Sequence, residues 1–390
     1  MGQRFPVLLV MAICFSLITI NANAREFLVG GEYPLSGKLA STGQAFLKGT
    51  QTAVAVFNQQ HPEHTVKLLD IDNETSPAKA VTAVEKLVSQ GVLAFTGGFS
   101  TAIISPASDA AHKAGKIYMT SGSLSKKMAH RGHKGFFRIN NAGGYIKAMV
   151  GLFKSKNIKS VSLLHVNADA TTKIGGAVAS ILKKQGVKVT VHPFDKNMTD
   201  FKPVINKIRL RDKSEAIAMV CYVPDYMNIL RAAKVIKPPT VKMVAGLWSL
   251  ATSKNQEKFA DLIPNVLGTA ILAWPAEFVS PEAKAFAAAY EKLHGEVPDY
   301  QGQFGFVQSM LLFEAILRSH EKGTLDKEGA LAEELRLTDR ETLLGRVTFD
   351  EFGENNNFTM YVGQHQKDGI PIVWPSKYAN GKQIYPGLPW

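Results

Sequence analysis

GGFSTAIISPASD (97–109) joins an apolar, β-rich run to a stretch with helical spacing. A simple connecting turn needs neither the two adjacent glycines nor Phe99 followed by the hydroxyl pair Ser100 and Thr101. Hydroxyl residues often cap a helix, so Ser100, Thr101 and Ser105 could serve that purpose. The same hydroxyls, together with the free N–H groups of a helix start, also suit an anionic ligand. The segment therefore indicates either a capped helix or one wall of a ligand-binding cleft.

Strand and helix patterns alternate along the chain, and the alternation restarts near residue 160. The strands are continuously apolar, which is typical of parallel sheets covered on both faces. Two successive doubly wound, Rossmann-like α/β blocks are therefore predicted. Pro106 allows the helix after Ser100 to begin either at Pro106 or near Thr101 with a bend. The predicted strands are 27–34, 66–72, 93–98, 116–121, 161–167, 187–194, 216–223, 241–247, 346–350, 357–365 and 370–374.

The N-terminus has the layout of a secretory signal peptide. Arg4 precedes an apolar run, 5–20, and Ala22-Asn23-Ala24 follows as an A-x-A cleavage pattern. The residues before Cys14 do not form the small-residue box that lipoprotein processing requires. We therefore expect a signal peptide at 1–24 and a periplasmic protein without a lipid anchor. Cys221 is then the only mature cysteine, and its apolar surroundings predict a buried thiol with no intrachain disulfide.

Composition and missing motifs argue against several classes of function. The net charge is +12, but the basic residues are dispersed, so nucleic-acid binding is not expected. The densest basic patch, HRGHK (130–134), is interpreted as a solvated loop rather than an anion or partner site. The histidine pairs His61/His64 and His130/His133 lack carboxylate or cysteine partners, so no metal site is predicted. There is no phosphate loop, dinucleotide fingerprint or nucleophile elbow, so neither a cofactor nor an enzyme is expected.

Hydroxyl and aromatic residues follow four predicted strands, at the point where each strand ends. In open α/β sheets this edge is where ligands bind. Residues of this kind at strand ends in both blocks favour a ligand cleft over isolated helix caps. They are Ser100 and Thr101, then Ser121, Ser123 and Ser125, then Tyr222, and finally Trp248 with Ser249.

A set of segments, in this order, resembles the solute-binding proteins of ABC transporters for hydrophobic amino acids, in particular the leucine/isoleucine/valine-binding proteins. The resemblance covers essentially the whole mature chain. The segments are YPLSG (33–37), DNETSPAKAV (72–81), GGFSTAIISPASD (97–109), GKIYMTSGSLS (115–125), FFRINNAG (136–143), DFKPVINKIR (200–209), YVPDYMNILRAAK (222–234) and RVTFDEFGENNN (346–357).

The resemblance implies a type I periplasmic binding protein: two α/β lobes joined by three crossovers that close over a ligand. Lobe one is then expected to comprise 25–142 with 273–362, and lobe two 143–272 with 363–390. The loops that match Ser100–Thr101 and Gly122–Ser125 hold the ligand carboxylate in this family. The implied ligand-binding residues are Phe99, Ser100, Thr101, Gly122, Ser123, Ser125, Thr171, Tyr222 and Trp248.

The chain departs from the family pattern where the ligand's ammonium is usually bound. GLWSL (246–250) has no acid at the place where amino-acid binders carry a Glu, and Ala170-Thr171 replaces the usual tyrosine-glycine pair. Leu124 stands where a threonine of the carboxylate loop is expected. A buried ammonium without a partner is costly, so aromatic acids and small amides are alternatives to an amino acid. Trp248 either stacks on such a ring or packs in the hinge.

The first hypothesis is a monomeric carrier that delivers a small carboxylated solute, with branched-chain or hydrophobic amino acids first, to an inner-membrane ABC permease. A sensor subunit of the same fold, which presents its ligand to a membrane receptor, is the second. An exported α/β enzyme is the third hypothesis. It would require a nucleophile or metal in the cleft, and the sequence offers no convergent set of such residues.

Overall fold

The computed structural model describes residues 25–390, so the predicted signal peptide at 1–24 lies outside the described residues. A parallel five-stranded sheet forms the first half of the fold, in the order β2-β1-β3-β4-β5. Two of its inner strands, β3 and β4, are continuously buried, as their apolar sequences predict. The strands are β1 (Arg25–Tyr33), β2 (His64–Asp72), β3 (Ala94–Gly97), β4 (Ile117–Thr120) and β5 (Phe136–Arg138).

Helices from both ends of the chain cover this first sheet. The N-terminal ones are α1 (Ala40–Gln60), α2 (Pro77–Ser89), α3 (Thr101–Lys113) and α4 (Lys126–Ala129), and the later ones are α10 (Pro281–His294), α11 (Tyr300–Glu321) and α12 (Ala330–Arg336). Helices α1 and α11 pack backbone to backbone. A side chain at Gly49 would overlap the Gly302 carbonyl, and one at Gly305 would overlap that of Phe46. This close approach anchors the C-terminal helices on the N-terminal sheet.

A seven-stranded sheet forms the second half, in the order β14-β13-β10-β9-β8-β6-β7. Its strands are parallel except β13, which is antiparallel to β10 and β14. The strands are β6 (Ser160–Val166), β7 (Lys188–Phe194), β8 (Ala216–Val220), β9 (Met243–Gly246), β10 (Leu267–Ala270), β13 (Tyr361–Gln364) and β14 (Ile372–Trp374). The helices of this half are α5 (Ala142–Ser155), α6 (Asp169–Lys184), α7 (Lys202–Lys207), α8 (Val223–Ile236) and α9 (Ser253–Lys258). A separate hairpin pairs β11 (Asp339–Thr342) with β12 (Gly345–Thr348).

The chain passes between the two sheets three times: after β5, after β10 and before β13. The sequence-based limits of the two lobes remain a prediction. Strand β13 begins at Tyr361 and pairs within the second sheet, whereas the expected limits place residues up to 362 in lobe one.

The predicted α/β class with two parallel blocks is confirmed, but several short elements were not anticipated. Strands β5 and β10 have only three and four residues, too few for a periodic signal. The strand expected at 357–365 is limited to Tyr361–Gln364, because the asparagine-rich stretch before it forms turns. Helix α3 begins at Thr101 with Pro106 inside it, so Pro106 does not start the helix. No helix within residues 25–390 has the length and apolar character that a membrane span requires.

Candidate ligand-binding site

A narrow cavity lies between the two sheets, at the carboxyl ends of their strands. The space between its walls that no protein atom occupies is about 450 Å³, part of it open to solvent. The first half contributes the residues after β3 and β4, and the second half contributes those after β8 and β9. This is the position expected for a ligand in a doubly wound fold.

Six of the nine predicted ligand-binding residues line this cavity: Phe99, Ser100, Thr101, Gly122, Tyr222 and Trp248. Ten further residues line it. Ser121 and Ser249 belong to the strand-end residues that predicted a cleft, and Leu124 and Ala170 stand at two positions where the chain departs from the family pattern. Nothing in the sequence indicated the other six: Phe46, Asn140, Tyr145, Tyr300, Gln301 and Phe304.

Ser100 begins α3 but does not cap it through its side chain. Its φ is +73°, and the hydroxyl makes no capping hydrogen bond, although the N–H of Ser100 donates to the Gly122 carbonyl at 2.9 Å. The Ser100 hydroxyl is therefore available to the cavity. The Thr101 hydroxyl lies 3.1 Å from that of Ser123. The helix-cap explanation of this segment does not hold for Ser100, because backbone rather than side-chain contacts fix the start of the helix.

Glycines bring the two hydroxyl-bearing loops together. A side chain at Gly98 would meet the Tyr118 hydroxyl and the Glu32 carboxylate. A side chain at Gly122 would overlap the Gly98 carbonyl. Gly98 also has a φ of +72°, a conformation that side chains disfavour. The glycines of GGFST therefore allow the loops after β3 and β4 to form one continuous polar wall.

Two side chains at the end of β5 and just after it donate hydrogen bonds to the carbonyls of the loop after β4. Arg138 donates from Nη1 to the carbonyls of Ser123 at 3.0 Å and Ser125 at 2.9 Å, and from Nη2 to Glu354 Oε1 at 2.6 Å. Asn140 donates from Nδ2 to the carbonyl of Ser121. Burial lowers the pKa of the Arg138 guanidinium, and Glu354 opposes that shift. The carbonyls of Ser121, Ser123 and Ser125 thus have side-chain donors within the protein.

Aromatic rings form most of the opposite wall. Tyr222 and Trp248 are stacked, with ring centroids 5.7 Å apart and an interplanar angle of 17°. Phe99 meets Tyr222 edge-on at 6.4 Å, and Tyr145 lies 6.1 Å from Trp248. Trp248 therefore both lines the cavity and packs against Tyr145. In all, seven aromatic residues line the cavity: Phe46, Phe99, Tyr145, Tyr222, Trp248, Tyr300 and Phe304.

None of the cavity-lining residues is acidic. Acids close in sequence to the lining residues have other partners. Asp169, next to Ala170, accepts from the Ser125 hydroxyl at 2.8 Å and pairs with Lys173 at 2.6 Å. Asp225 accepts from the N–H of Tyr222 at 3.2 Å and from Lys38 at 3.3 Å. Asp299 caps α11 by accepting from the N–H groups of Gln301 and Gly302, and its burial raises its pKa. The cavity therefore supplies hydroxyls, amides and rings, but no negative charge to pair with an ammonium.

Three predicted ligand residues do not line the cavity. The Thr171 hydroxyl is fully buried and donates to the carbonyls of Val166 at 2.6 Å and Ala168 at 3.0 Å. Ser125 donates to Asp169 Oδ2 at 2.8 Å, and the Ser123 hydroxyl pairs with Thr101. Each hydroxyl is thus engaged by a nearer protein partner, which residue type alone does not reveal.

Polar contacts across the cleft hold the two halves together. Lys38 in the first half pairs with Asp225 in the second half at 3.3 Å. Lys254 in the second half pairs with Glu296 in the first half at 3.2 Å. Ser249, beyond β9, donates its N–H to the Tyr300 hydroxyl and accepts from the Gln301 side chain. Tyr300 and Gln301 begin α11, so they reach the cavity from a helix that is remote in sequence from the strand ends. In the sequence, only Asp299, a residue type that favours the start of a helix, marks the position of Tyr300 and Gln301.

A protein-family model described as "Periplasmic binding protein" matches residues 27–369. The chain belongs to this family. The predicted family, its type I fold and its solute-binding role are confirmed.

Curated relatives are similar over nearly the full length of this periplasmic binding protein. The Pseudomonas aeruginosa leucine-, isoleucine-, valine-, threonine- and alanine-binding protein is 25% identical over 365 residues, 92% of this chain and 94% of its own. The Leu/Ile/Val-binding protein homolog 8 of Brucella abortus is 23% identical and covers 96% of this chain and 97% of its own.

Solved structures share the fold. The substrate-binding protein LivJ of Streptococcus pneumoniae, in complex with isoleucine, has a TM-score of 0.78 and 22% identity and covers 93% of this chain and 100% of its own. A solute-binding protein of R. palustris, in complex with 4-hydroxybenzoate, has a TM-score of 0.79 and 17% identity and covers 92% and 98%.

Proposed function

We propose that this periplasmic binding protein carries a small carboxylic acid with an aromatic body to an inner-membrane ABC permease. The absence of an acidic residue from the cavity lining is the observation that carries the proposal. A carboxylate without an ammonium fits such a cavity, since a buried charge needs a partner.

The two walls of the cavity support the two ends of this ligand. The hydroxyl of Ser100 and the N-terminus of α3 favour a carboxylate. The stacked pair Tyr222 and Trp248 offers a flat apolar surface to a ring. Basic residues at the outer mouth, Lys38, Arg231, Lys254 and Lys258, favour the approach of an anion.

A branched-chain amino acid is the second candidate. The names of the Pseudomonas aeruginosa and Brucella abortus relatives favour it. It requires the ammonium to be held by neutral acceptors alone, such as the hydroxyls of Tyr145 or Tyr300 and the side-chain oxygen of Asn140 or Gln301.

The test is calorimetric titration of mature protein that has been unfolded and refolded to remove bound solute. The panel contains leucine, isoleucine, benzoate, 4-hydroxybenzoate and benzamide. Binding of the aromatic acids but not of the amino acids supports the proposal, and tight binding of leucine alone overturns it in favour of the second candidate. A ligand at a hundred times its Kd should also add about 2.7 kcal/mol to the free energy of unfolding.

The carrier role, the monomeric state and the absence of catalysis are part of the same proposal. Pull-down of the cognate permease by the liganded protein, a single monomeric species in light scattering, and recovery of the ligand unchanged after incubation would each support it. Capture of a membrane receptor instead of a permease would favour the sensor hypothesis.

A further inference from the structure

Two polar side-chain atoms in the cavity wall are buried and have no hydrogen-bond partner: Ser121 Oγ and Asn140 Oδ1. Both residues line the cavity, and each is only 2% exposed. Buried polar groups in native proteins are nearly always hydrogen-bonded, so two buried atoms without a partner in one cavity wall need an explanation. Both atoms are without a partner, so they do not hydrogen-bond to each other.

The two atoms need different kinds of hydrogen-bond partner. The Ser121 hydroxyl can donate as well as accept, so a ligand carboxylate satisfies it. Asn140 Oδ1 can only accept. The orientation of the amide is fixed, because Nδ2 must face the Ser121 carbonyl, which is itself an acceptor. Reversing the amide would place two oxygens against each other. A carboxylate therefore cannot satisfy Asn140 Oδ1, and only an N–H or O–H group can.

We infer that the ligand carries a neutral hydrogen-bond donor in addition to its carboxylate, and that Asn140 Oδ1 accepts from it. This inference rests on the proposed function. Since no acid lines the cavity, the donor is a hydroxyl or amide N–H rather than an ammonium. The ligand class is thus a hydroxy- or amido-substituted aromatic acid, and Asn140 is the residue that distinguishes it from the unsubstituted acid.

The neighbours of Asn140 agree with this role. Phe99, Tyr145 and Leu124 line the same cavity, and the Tyr145 hydroxyl, which interacts with the Asn140 side chain, is the protein group that competes with a ligand for the amide oxygen. A site that is built to bond a donor discriminates strongly against an analogue that lacks it, because the analogue leaves the buried acceptor unpaired.

The experiment measures Kd by calorimetry for benzoate and for its 2-, 3- and 4-hydroxy, 4-acetamido and 4-methoxy derivatives. The methoxy compound resembles the hydroxy compound but cannot donate. Wild-type protein should bind at least one donor-bearing acid about tenfold or more tightly than both benzoate and the methoxy acid. Asn140→Leu should abolish that preference, so that its Kd values for the hydroxy, methoxy and unsubstituted acids agree with one another within a few-fold.

Asn355→Leu is the matched control, because Asn355 is also buried and donates to a backbone carbonyl, that of Ile139, but does not line the cavity. It should keep the preference. Equal affinities of the wild type for benzoate and the donor-bearing acids would overturn the inference and indicate that a bound water or the Tyr145 hydroxyl satisfies Asn140. Loss of the preference in Asn355→Leu would also overturn it. If no aromatic acid binds, the proposed function itself fails. The wild-type comparison remains decisive if Asn140→Leu does not fold.

Discussion

Replacing Glu354 by Gln should destabilise this periplasmic binding protein through Arg138, a residue that has no contact with bulk solvent. The Arg138 side chain is 1% exposed, and the Nη2–Oε1 distance to Glu354 is 2.6 Å. The glutamine is isosteric, so the packing is kept and only the charge is lost. The guanidinium is then buried without its carboxylate partner.

The magnitude follows from the burial of the two partners. Breaking a fully buried ion pair costs about 3–5 kcal/mol, since one charge remains without compensation. Glu354 is partly exposed, at 13%, and Asp350 also attracts the Arg138 charge, which places the expected loss at the lower end, about 3 kcal/mol. Affinity for the ligand should fall as well, because Arg138 also holds the carbonyls of Ser123 and Ser125.

The assay is urea unfolding of the ligand-free protein at pH 7, followed by circular dichroism and tryptophan fluorescence. Glu351→Gln is the matched control, because Glu351 is three residues away and exposed. We expect it to change the free energy of unfolding by less than about 0.5 kcal/mol. A loss below about 1 kcal/mol in Glu354→Gln, or equal losses in both variants, would refute the reasoning that Arg138 depends on this carboxylate.

Three further predictions concern the core, the cavity and the cleft. Burial raises the pKa of Glu32 to about 7 from 4.5, so stability should fall by about 3 kcal/mol as the pH rises from 4.5 to 7 and remain lower above it. Glu32→Gln should remove this dependence of stability on pH and should be more stable than the wild type at pH 8 in urea unfolding. If the free energy of unfolding changes with pH in the same way in both proteins, Glu32 is not the group responsible. Trp248→Ala removes the ring stacked on Tyr222 and should weaken aromatic-acid binding about tenfold or more in calorimetry, while an unchanged Kd would assign Trp248 to packing alone. Lys38→Met removes the cross-cleft partner of buried Asp225 and should weaken binding several-fold. Small-angle scattering with ligand should detect more open protein, and full closure would contradict this.

The sequence by itself determined the fold class and the general location of the site. Continuously apolar, β-rich runs predict buried parallel strands, because only sheets covered on both faces remove such strands from water. Hydroxyls and aromatics at strand ends predict a cleft, because parallel strands bring their carboxyl ends to one edge.

The tertiary structure decided which side chains reach the cavity. Ser123, Ser125 and Thr171 have suitable hydroxyls, yet Thr101, Asp169 and two backbone carbonyls engage them first. Tyr300 and Gln301 line the site only because the chain returns from the second sheet to the first after β10, and the helices that follow pack against the first sheet. Whether two groups hydrogen-bond depends on differences of a few tenths of an ångström in the distance between segments far apart in the chain. The local sequence does not determine those distances. Asn140 illustrates this, since only its contact with the Ser121 carbonyl decides which amide atom faces the ligand.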